Sequence, residues 1–131
     1  MNQNLIHIAL IVKDYDEAID FYVDKLNFEL TEDTKLSEEK RWVLIKPKGT
    51  NNCNLLLAKA AYLEQESRIG NQTGGRVFLF LSTDDFERDY NNLLNNKINI
   101  IRKSKVEPYG KVCVFQDLYG NLWDLIEHHK S

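Results

Sequence analysis

The spacing of hydrophobic and polar residues changes along the chain, and each change predicts an element. Residues 4–12 alternate between an apolar face and a mixed face that carries His7, which predicts a β-strand. Over residues 14–26 the apolar positions recur with the period of an α-helix, and Asp14 or Asp16 can cap its start. The chain therefore opens with a strand followed by an amphipathic helix.

The same order of elements then occurs twice. Three strand-like stretches follow the helix, at about residues 28–36, 41–48 and 53–59, with turn-prone segments at residues 37–40 and 47–52. After a polar connection the pattern restarts with a strand at 75–83, a helix capped by Asp84 or Asp85, and strands at about 98–104, 111–116 and 121–128. The chain is thus a β-α-β-β-β unit written twice, at an offset of about 68–69 residues.

This repeat predicts an α+β fold. Each unit makes a sheet with one face covered by a helix and one bare face, and two units side by side curl their bare faces into a shared concave cup. We expect one domain over residues 1–131, with module one at about 4–60, a linker at 61–73 and module two at about 74–129. The offset makes His7 correspond to Arg76, and Leu56 to Asp124.

Composition narrows the classes of partner. The chain has 131 residues, of which 17 are basic and 20 acidic, so its net charge is −3. The charged residues of both signs are interspersed along the chain, which is not the pattern of a nucleic-acid binder. The longest apolar runs, residues 8–12 and 77–81, are too short to cross a bilayer, and no signal peptide is evident. Cys53 and Cys113 do not form a CxxC motif, which favours the interpretation that both are reduced thiols. We therefore expect a cytoplasmic protein without nucleic-acid or membrane partners.

Three segments carry a family resemblance. They are residues 7–28, with Asn27 where Gly is usual; residues 74–85; and residues 108–121, where Leu118 and Tyr119 replace the usual Pro and Asp. Together they resemble the vicinal-oxygen-chelate superfamily, which includes glyoxalase I, bleomycin and fosfomycin resistance proteins, and extradiol dioxygenases. The resemblance implies the glyoxalase/bleomycin resistance/dioxygenase fold, in which two modules form a curled mixed sheet. It also implies a homodimer, because members of this superfamily commonly pair.

The resemblance further implies where a metal would bind. Metal-dependent members hold a divalent ion with ligands on the first and last strand of each module, and these positions here are His7, Leu56, Arg76 and Asp124. His7 and Asp124 suit Zn²⁺, Ni²⁺, Mn²⁺ or Fe²⁺, whereas Leu56 has no lone pair and Arg76 is permanently protonated. No cofactor is firmly implied, and a divalent metal held by His7 and Asp124 stays an alternative.

Other candidate residues follow from the alternation of the strands. Arg76 is expected beside Asp124, either as a structural ion pair or as an anchor for an anionic ligand. His7 is either a silent wall residue or a proton-transfer catalyst. The remaining ligand-binding candidates on the cup side are Phe78, Phe80, Cys113 and Phe115, which can be wall packing or a stacking surface for a planar ligand.

Two functions from different classes are compatible with this set of residues. The first, which we favour, is a binding protein that holds a small organic ligand in an apolar cup with a degenerate metal site. The alternative is a metal-dependent lyase, isomerase or dioxygenase that uses His7 and Asp124, so the sequence leaves open whether the protein is an enzyme.

Overall fold

Each half of the chain builds its own four-stranded mixed sheet. The computed structural model describes residues 1–49 and 53–129, and the chain divides into two compact units, Met1–Ile69 and Gly70–Ser131. The strands of the first unit are β1 (His7–Val12), β2 (Glu29–Lys35), β3 (Arg41–Lys46) and β4 (Asn54–Lys59). Their order is β1-β4-β3-β2, with β1 parallel to β4 and the other pairs antiparallel. The turn predicted at 47–52 lies partly outside the described residues.

The helix of the first unit changes its winding half-way. Asp14 caps the α-helix α1 (Tyr15–Ile19), since its Oδ2 accepts a hydrogen bond of 2.9 Å from the Glu17 amide. The helix continues over Asp20–Lys25 as a π-helix. It ends at Lys25, with Leu26 as the C-cap, and the next residue, Asn27, has a φ of 63° in the left-handed region that favours glycine and, after it, asparagine. Asn27 therefore adopts the left-handed conformation for which the related sequences usually have glycine at this position.

The core of the first unit lies between this helix and one face of its sheet. Apolar side chains alternate into it from β1, β3 and β4, and the helix contacts β3 and β4. On this face the buried strand residues are Leu10, Val12, Val43, Ile45, Leu55 and Leu57, and the helical segment contributes Tyr15, Ala18, Phe21 and Tyr22. Leu44 is also buried, but it lies on the opposite face. The opposite face of the sheet points away from α1.

The second unit repeats the topology. Its strands are β5 (Leu79–Ser82), β6 (Ile100–Glu107), β7 (Gly110–Gln116) and β8 (Leu122–His128), in the order β5-β8-β7-β6. Asp85 caps the helix α3 (Phe86–Asn95) by accepting from the Arg88 amide, and α3 contacts β8. The β-α-β-β-β order predicted for both halves is confirmed, and so is the α+β fold class.

The bounds of several elements differ from the prediction, since β1 begins at His7 instead of residue 4 and β6 spans Ile100–Glu107 instead of 98–104. β5 is shorter than residues 75–83, because Gly74 and Gly75 adopt positive φ angles and Thr73 Oγ1 donates to the Arg76 carbonyl in a turn. The polar connection contains a single helical turn, α2 (Leu63–Glu66). Within residues 1–49 and 53–129, no helix has the length and apolarity that crossing a bilayer requires.

The hairpin between β7 and β8 is held by a buried polar turn. Asp117 Oδ1 accepts from the amides of Tyr119 and Asn121, both at 2.9 Å, and Asp117 Oδ2 accepts from Asn121 Nδ2 at 2.8 Å. Gly120 supplies the positive φ of 98° that this turn requires. The Asp-x-x-Gly-Asn ending thus has a structural role, which survives the change of its two middle residues to Leu118 and Tyr119.

Candidate functional site

The face of the second sheet that points away from α3 carries one row of neighbouring side chains. Partners in register lie on the same face of a sheet, and across β5, β8, β7 and β6 these partners are Phe80, Asp124, Val114 and Arg102. We call them the Asp124 row. The residues that flank Asp124 along β8, Trp123 and Leu125, are buried on the opposite face.

Asp124 has an unsatisfied oxygen in this row. Its Oδ1 is buried and has no hydrogen-bond partner, and no other side-chain oxygen or nitrogen in the described part of the chain shares this condition. Burial raises the pKa of Asp124 above its ordinary value, and the positive charge of Arg102 opposes that shift. A buried acceptor without a donor is rare in folded proteins, so Asp124 is prepared for a donor that the described residues do not supply.

Phe80 lies directly beside this carboxylate. Its side chain is 70% exposed, whereas the phenylalanines of the unit's core are buried. Phe78 precedes it by two residues and donates its amide to the Leu122 carbonyl at 2.8 Å, so the backbone here continues the pairing with β8. An exposed ring next to an unsatisfied carboxylate offers an apolar surface and a polar contact to one small molecule.

Cys113 and Phe115 do not belong to the open face, and their assignment to it was wrong. Register pairs Cys113 with Leu125 and Phe115 with Trp123, which places both in the core between the sheet and α3. The Phe115 and Trp123 rings stack at 6.0 Å between centroids, with 10° between their planes. Burial and, after it, the charge of Asp124 raise the pKa of the Cys113 thiol to about 12, which removes it as a nucleophile.

The first sheet has an equivalent but chemically different row. Across β1, β4, β3 and β2 the residues are Ala9, Leu56, Leu44 and Glu32, which we call the Leu56 row. Comparison of the two rows matches Leu56 with Asp124, as the repeat predicts. It also matches Glu32 with Arg102, so the charge at the outer end of the row has the opposite sign in the two units.

His7 and Trp42 lie on the same open face as the Leu56 row. The His7 ring meets the Trp42 ring edge-on, at 6.0 Å between centroids and 73° between planes. His7 Nδ1 lies 2.7 Å from the Ile6 carbonyl oxygen, which can only accept, so Nδ1 carries the proton and Nε2 presents a lone pair in the neutral ring.

Comparison with known proteins agrees with this doubled architecture. A family model described as the Glyoxalase/Bleomycin resistance protein/Dioxygenase superfamily matches residues 4–125. The chain belongs to this superfamily.

The chain is also similar to other proteins over nearly its whole length, including one solved member of this superfamily. An uncharacterized protein of Shewanella frigidimarina (strain NCIMB 400) is 59% identical over 97% of this chain and 95% of its own length. The crystal structure of TnmS3, an antibiotic binding protein from Streptomyces sp. CB03234, has a TM-score of 0.78 at 26% identity and covers 98% of both chains. A superfamily member from Sphaerobacter thermophilus DSM 20745 has a TM-score of 0.81 at 26% identity, over 97% of this chain and 98% of its own.

Arg76 is not the counterpart of His7, and this expectation was wrong. The register of β5 and β8 puts Phe80, and not Arg76, opposite Asp124. Counted back from the helix caps Asp14 and Asp85, the residue equivalent to His7 is Phe78. Arg76 lies in the turn before β5 and is exposed, and no ion pair joins it to Asp124 among the described residues.

With this corrected correspondence, the metal positions that the resemblance implies would fall on His7, Leu56, Phe78 and Asp124. Leu56 and Phe78 have no lone pair to donate, and the described ranges contain no group of three or more His, Cys, Asp and Glu side chains able to hold a metal ion. His7 belongs to the first unit and Asp124 to the second. This donor set does not fit a divalent ion bound by a full set of protein ligands.

Sequence reasoning missed two residues of the open faces. Trp42 lies two residues before Leu44 on β3 and therefore on the same face, and Arg102 is in register with Val114. Residues 42–45 are all apolar, so alternation along β3 gave no signal for Trp42, and only the register with β4 assigns its face. Arg102 follows a register shift in β6, so no count along the sequence places it on this face.

Proposed function

We propose that this protein binds a small organic molecule on the open face of its second sheet, without a metal ion. The ligand carries a hydrogen-bond donor for Asp124 and a flat apolar portion for Phe80. The single observation that carries the proposal is the buried Oδ1 of Asp124, which has no partner and lies in register with an exposed aromatic ring.

The chemistry of the Asp124 row supports this function. A donor N–H or O–H of the ligand would satisfy Oδ1 in an environment where water is largely excluded, so the contact is stronger than the same contact in solvent. Phe80 contributes apolar contact area, and its ring has no polar group that would itself need a hydrogen-bond partner. Arg102 adds a positive charge at the far end of the row for an acceptor group of the same molecule.

The antibiotic binding protein TnmS3 supports binding as the primary role. It shares the fold over nearly the whole chain, and its description names a binding activity. We extend that class of function, and not its particular ligand, to this chain. We also propose that the chain forms a homodimer in the cytoplasm.

The function is tested by a thermal-shift screen of aromatic compounds that carry an amine or hydroxyl donor, run in excess EDTA. The best binder is then titrated calorimetrically against the parent and against Phe80→Ala and Asp124→Leu. We expect each variant to weaken binding by roughly tenfold or more, which corresponds to the loss of about one good contact.

Val106→Ala is the matched control, because Val106 is 69% exposed and lies on β6 of the same unit, outside the Asp124 row. It should bind as the parent does. Binding that disappears in EDTA and returns only with a divalent ion would contradict the proposal, and so would equal affinities of the parent and Phe80→Ala.

A further inference from the structure

The outer strands of the two sheets carry charges of opposite sign. β2 lies at one end of the first sheet and β6 at one end of the second. β2 contains three acidic residues and one basic residue, whereas β6 contains three basic residues and one acidic residue. All of β2 is exposed, and so are six consecutive residues of β6. An exposed edge of this kind can receive another strand, and its charges select which strand is accepted.

The acidic residues Glu29 and Glu32 lie on the same face of the first sheet. Glu29 is in register with Lys46 and Glu32 with Leu44, and these two partners are two residues apart on β3. A register shift between Leu30 and Glu32 adds one residue to β2, so positions three apart share a face. Both carboxylates therefore belong to the open face, at its outer edge.

β6 has the same arrangement with the opposite sign. Arg102 is in register with Val114 and Lys105 with Val112, and a register shift again lies between the two basic residues. Arg102 and Lys105 therefore also lie three apart on the open face of their sheet. Lys103, between them, adds a third positive charge to the same edge. The two edges are thus matched in the spacing of their charges as well as in their sign.

The ion pairs that these charges form within the chain are weak enough to be exchanged. Glu29 lies 3.8 Å from Lys46 Nζ, and Lys105 Nζ lies 3.1 Å from Glu107, with all four side chains partly exposed. Exposed pairs of this kind contribute little to stability. Glu32 forms no ion pair within the described ranges 1–49 and 53–129. These groups can therefore meet charges on another molecule at little cost.

Both edges also expose apolar side chains. Leu30 on β2 is 43% exposed, and Val106 on β6 is 69% exposed, with Ile101 exposed on the same strand. A contact between the two edges would remove part of this apolar surface from water, which is favourable. The charges would then select the partner, and the apolar residues would add to the affinity.

A second copy of this chain is the partner that fits both edges. Contact of β2 with another β2, or of β6 with another β6, brings like charges together and is unfavourable. Contact of β2 with β6 joins unlike charges. Each chain carries one edge of each sign, so two chains can satisfy all four edges with two reciprocal contacts.

We infer that β2 of one chain binds β6 of a second copy, and that β6 of the first chain binds β2 of the second. The inference rests on the homodimer proposed above and assigns its interface. It does not depend on the ligand proposed for the Asp124 row.

The test compares dissociation constants of the full chain and of two charge-reversal variants, measured by sedimentation at low salt. Glu29→Lys/Glu32→Lys makes β2 basic, and Lys103→Glu/Lys105→Glu makes β6 acidic. Arg102 is kept because its charge acts on Asp124. We expect each variant alone to associate at least roughly tenfold more weakly than the parent, since its two edges then carry the same sign.

An equimolar mixture of the two variants is the decisive measurement. In a mixed pair each basic edge meets an acidic edge, so we expect association close to that of the parent. The control Asp24→Lys/Glu66→Lys makes the same change of net charge as Glu29→Lys/Glu32→Lys, at exposed carboxylates outside both strands. Alone it should associate as the parent does, and mixed with Lys103→Glu/Lys105→Glu it should associate more weakly than the matched mixture.

Urea unfolding establishes that each variant is folded. If a reversed variant does not fold, the neutral Glu29→Gln/Glu32→Gln and Lys103→Gln/Lys105→Gln take its place, and each should weaken association.

A dimer whose dissociation constant is unchanged in the variants of both strands would overturn the inference and leave the homodimer standing. Variants that dissociate without association in the matched mixture would also overturn it. A parent that stays monomeric at every concentration would contradict the homodimer and the inference together.

Discussion

At the scale of single residues, Asp124 and Leu56 show what separates the two open faces. Both occupy the centre of a cross-strand row, but Leu56 needs no polar partner, whereas Asp124 leaves one oxygen buried and unpaired. An unsatisfied buried acceptor is destabilising until something donates to it. If Asp124 recognises a ligand, as we propose, the second unit carries this group at a cost in stability.

We predict that Asp124→Leu stabilises the protein at neutral pH by about 1 kcal/mol, because it removes an unpaired acceptor. The gain should depend on pH. The folded protein raises the pKa of Asp124, so the unfolded chain releases this proton first, and the parent loses stability as the pH rises through that interval.

Urea unfolding of both proteins from pH 3 to pH 8 measures this difference. The gain should be largest at neutral pH and shrink towards pH 3, where the carboxyl group is protonated in both states. A gain that is equal at every pH would indicate that ionisation of Asp124 has no part in it. The positive charge of Arg102 partly opposes the rise in the pKa of Asp124.

The ends of the two helical segments allow a second prediction. Asn27 and Lys97 follow their helices with φ angles of 63° and 55°, but only Asn27 is of a type that tolerates this region well. Lys97→Gly should therefore raise the free energy of unfolding by about 0.5–1 kcal/mol. Asn27→Gly is the matched comparison and should change it less, and the reverse ranking in urea unfolding would contradict the argument.

At the scale of elements, a carboxylate of β8 fixes the start of α3. Glu127 Oε1 accepts from the Phe86 amide at 2.7 Å, while Asp85 Oδ1 accepts from the Arg88 amide in the same first turn. The free amides at a helix start need such partners, and here one partner comes from a strand 41 residues further along. The helix and the sheet are therefore joined by a polar contact as well as by the core.

Glu127→Ala should lower the free energy of unfolding by about 1 kcal/mol, as the loss of a helix cap does. Glu127→Gln keeps an acceptor oxygen at the same reach and should recover most of the loss. Thermal and urea unfolding of the two variants measure the difference. Equal destabilisation by Ala and Gln would assign the effect to charge instead of the hydrogen bond.

The elements themselves were largely readable from the sequence, because their periods differ. The helix caps and the hairpin at residues 117–121 could be predicted because they depend on side chains that bind backbone amides close to them in the sequence. The face on which each residue of β7 lies could not be predicted in this way. Residues 112–115 are all apolar, so no alternation of polar and apolar residues shows which side chains are buried. Only the register with β8 assigns Cys113 and Phe115 to the core.

The error at Arg76 had a different cause. A single offset was applied to the whole repeat, whereas the two units differ in the lengths of their loops. The caps Asp14 and Asp85 are 71 positions apart and Leu56 and Asp124 are 68 apart, so each element carries its own offset. Aligning the caps first would have placed Phe78 against His7. The unpaired oxygen of Asp124 had no sequence signal, because it depends on burial.

At the scale of the whole molecule, the strands β2 and β6 lie at the ends of their sheets. Every residue of β2 is exposed, and β6 is exposed over most of its length. Both strands contain register shifts and many charged residues, which discourage unlimited edge-to-edge pairing. A closed, symmetric pair of chains avoids that problem, because it uses each surface once.

We therefore expect sedimentation at micromolar concentration to show a species of twice the chain mass of 15.3 kDa. Because the edges are charged, the association should depend on salt, and a series of sodium chloride concentrations measures this dependence. Only the 15.3 kDa species at every protein and salt concentration would contradict the expectation.

The separation of roles between the two faces of each sheet has a consequence for how such a chain can evolve. Most of the buried core residues point towards the helix, whereas the Asp124 and Leu56 rows, which also include the buried Val114 and Leu44, point away from it. After an ancestral duplication, one copy could acquire a carboxylate and the other a leucine at the same position, with the scaffold intact. The open faces are thus a region where new specificities can be selected or engineered with few substitutions and little loss of folding.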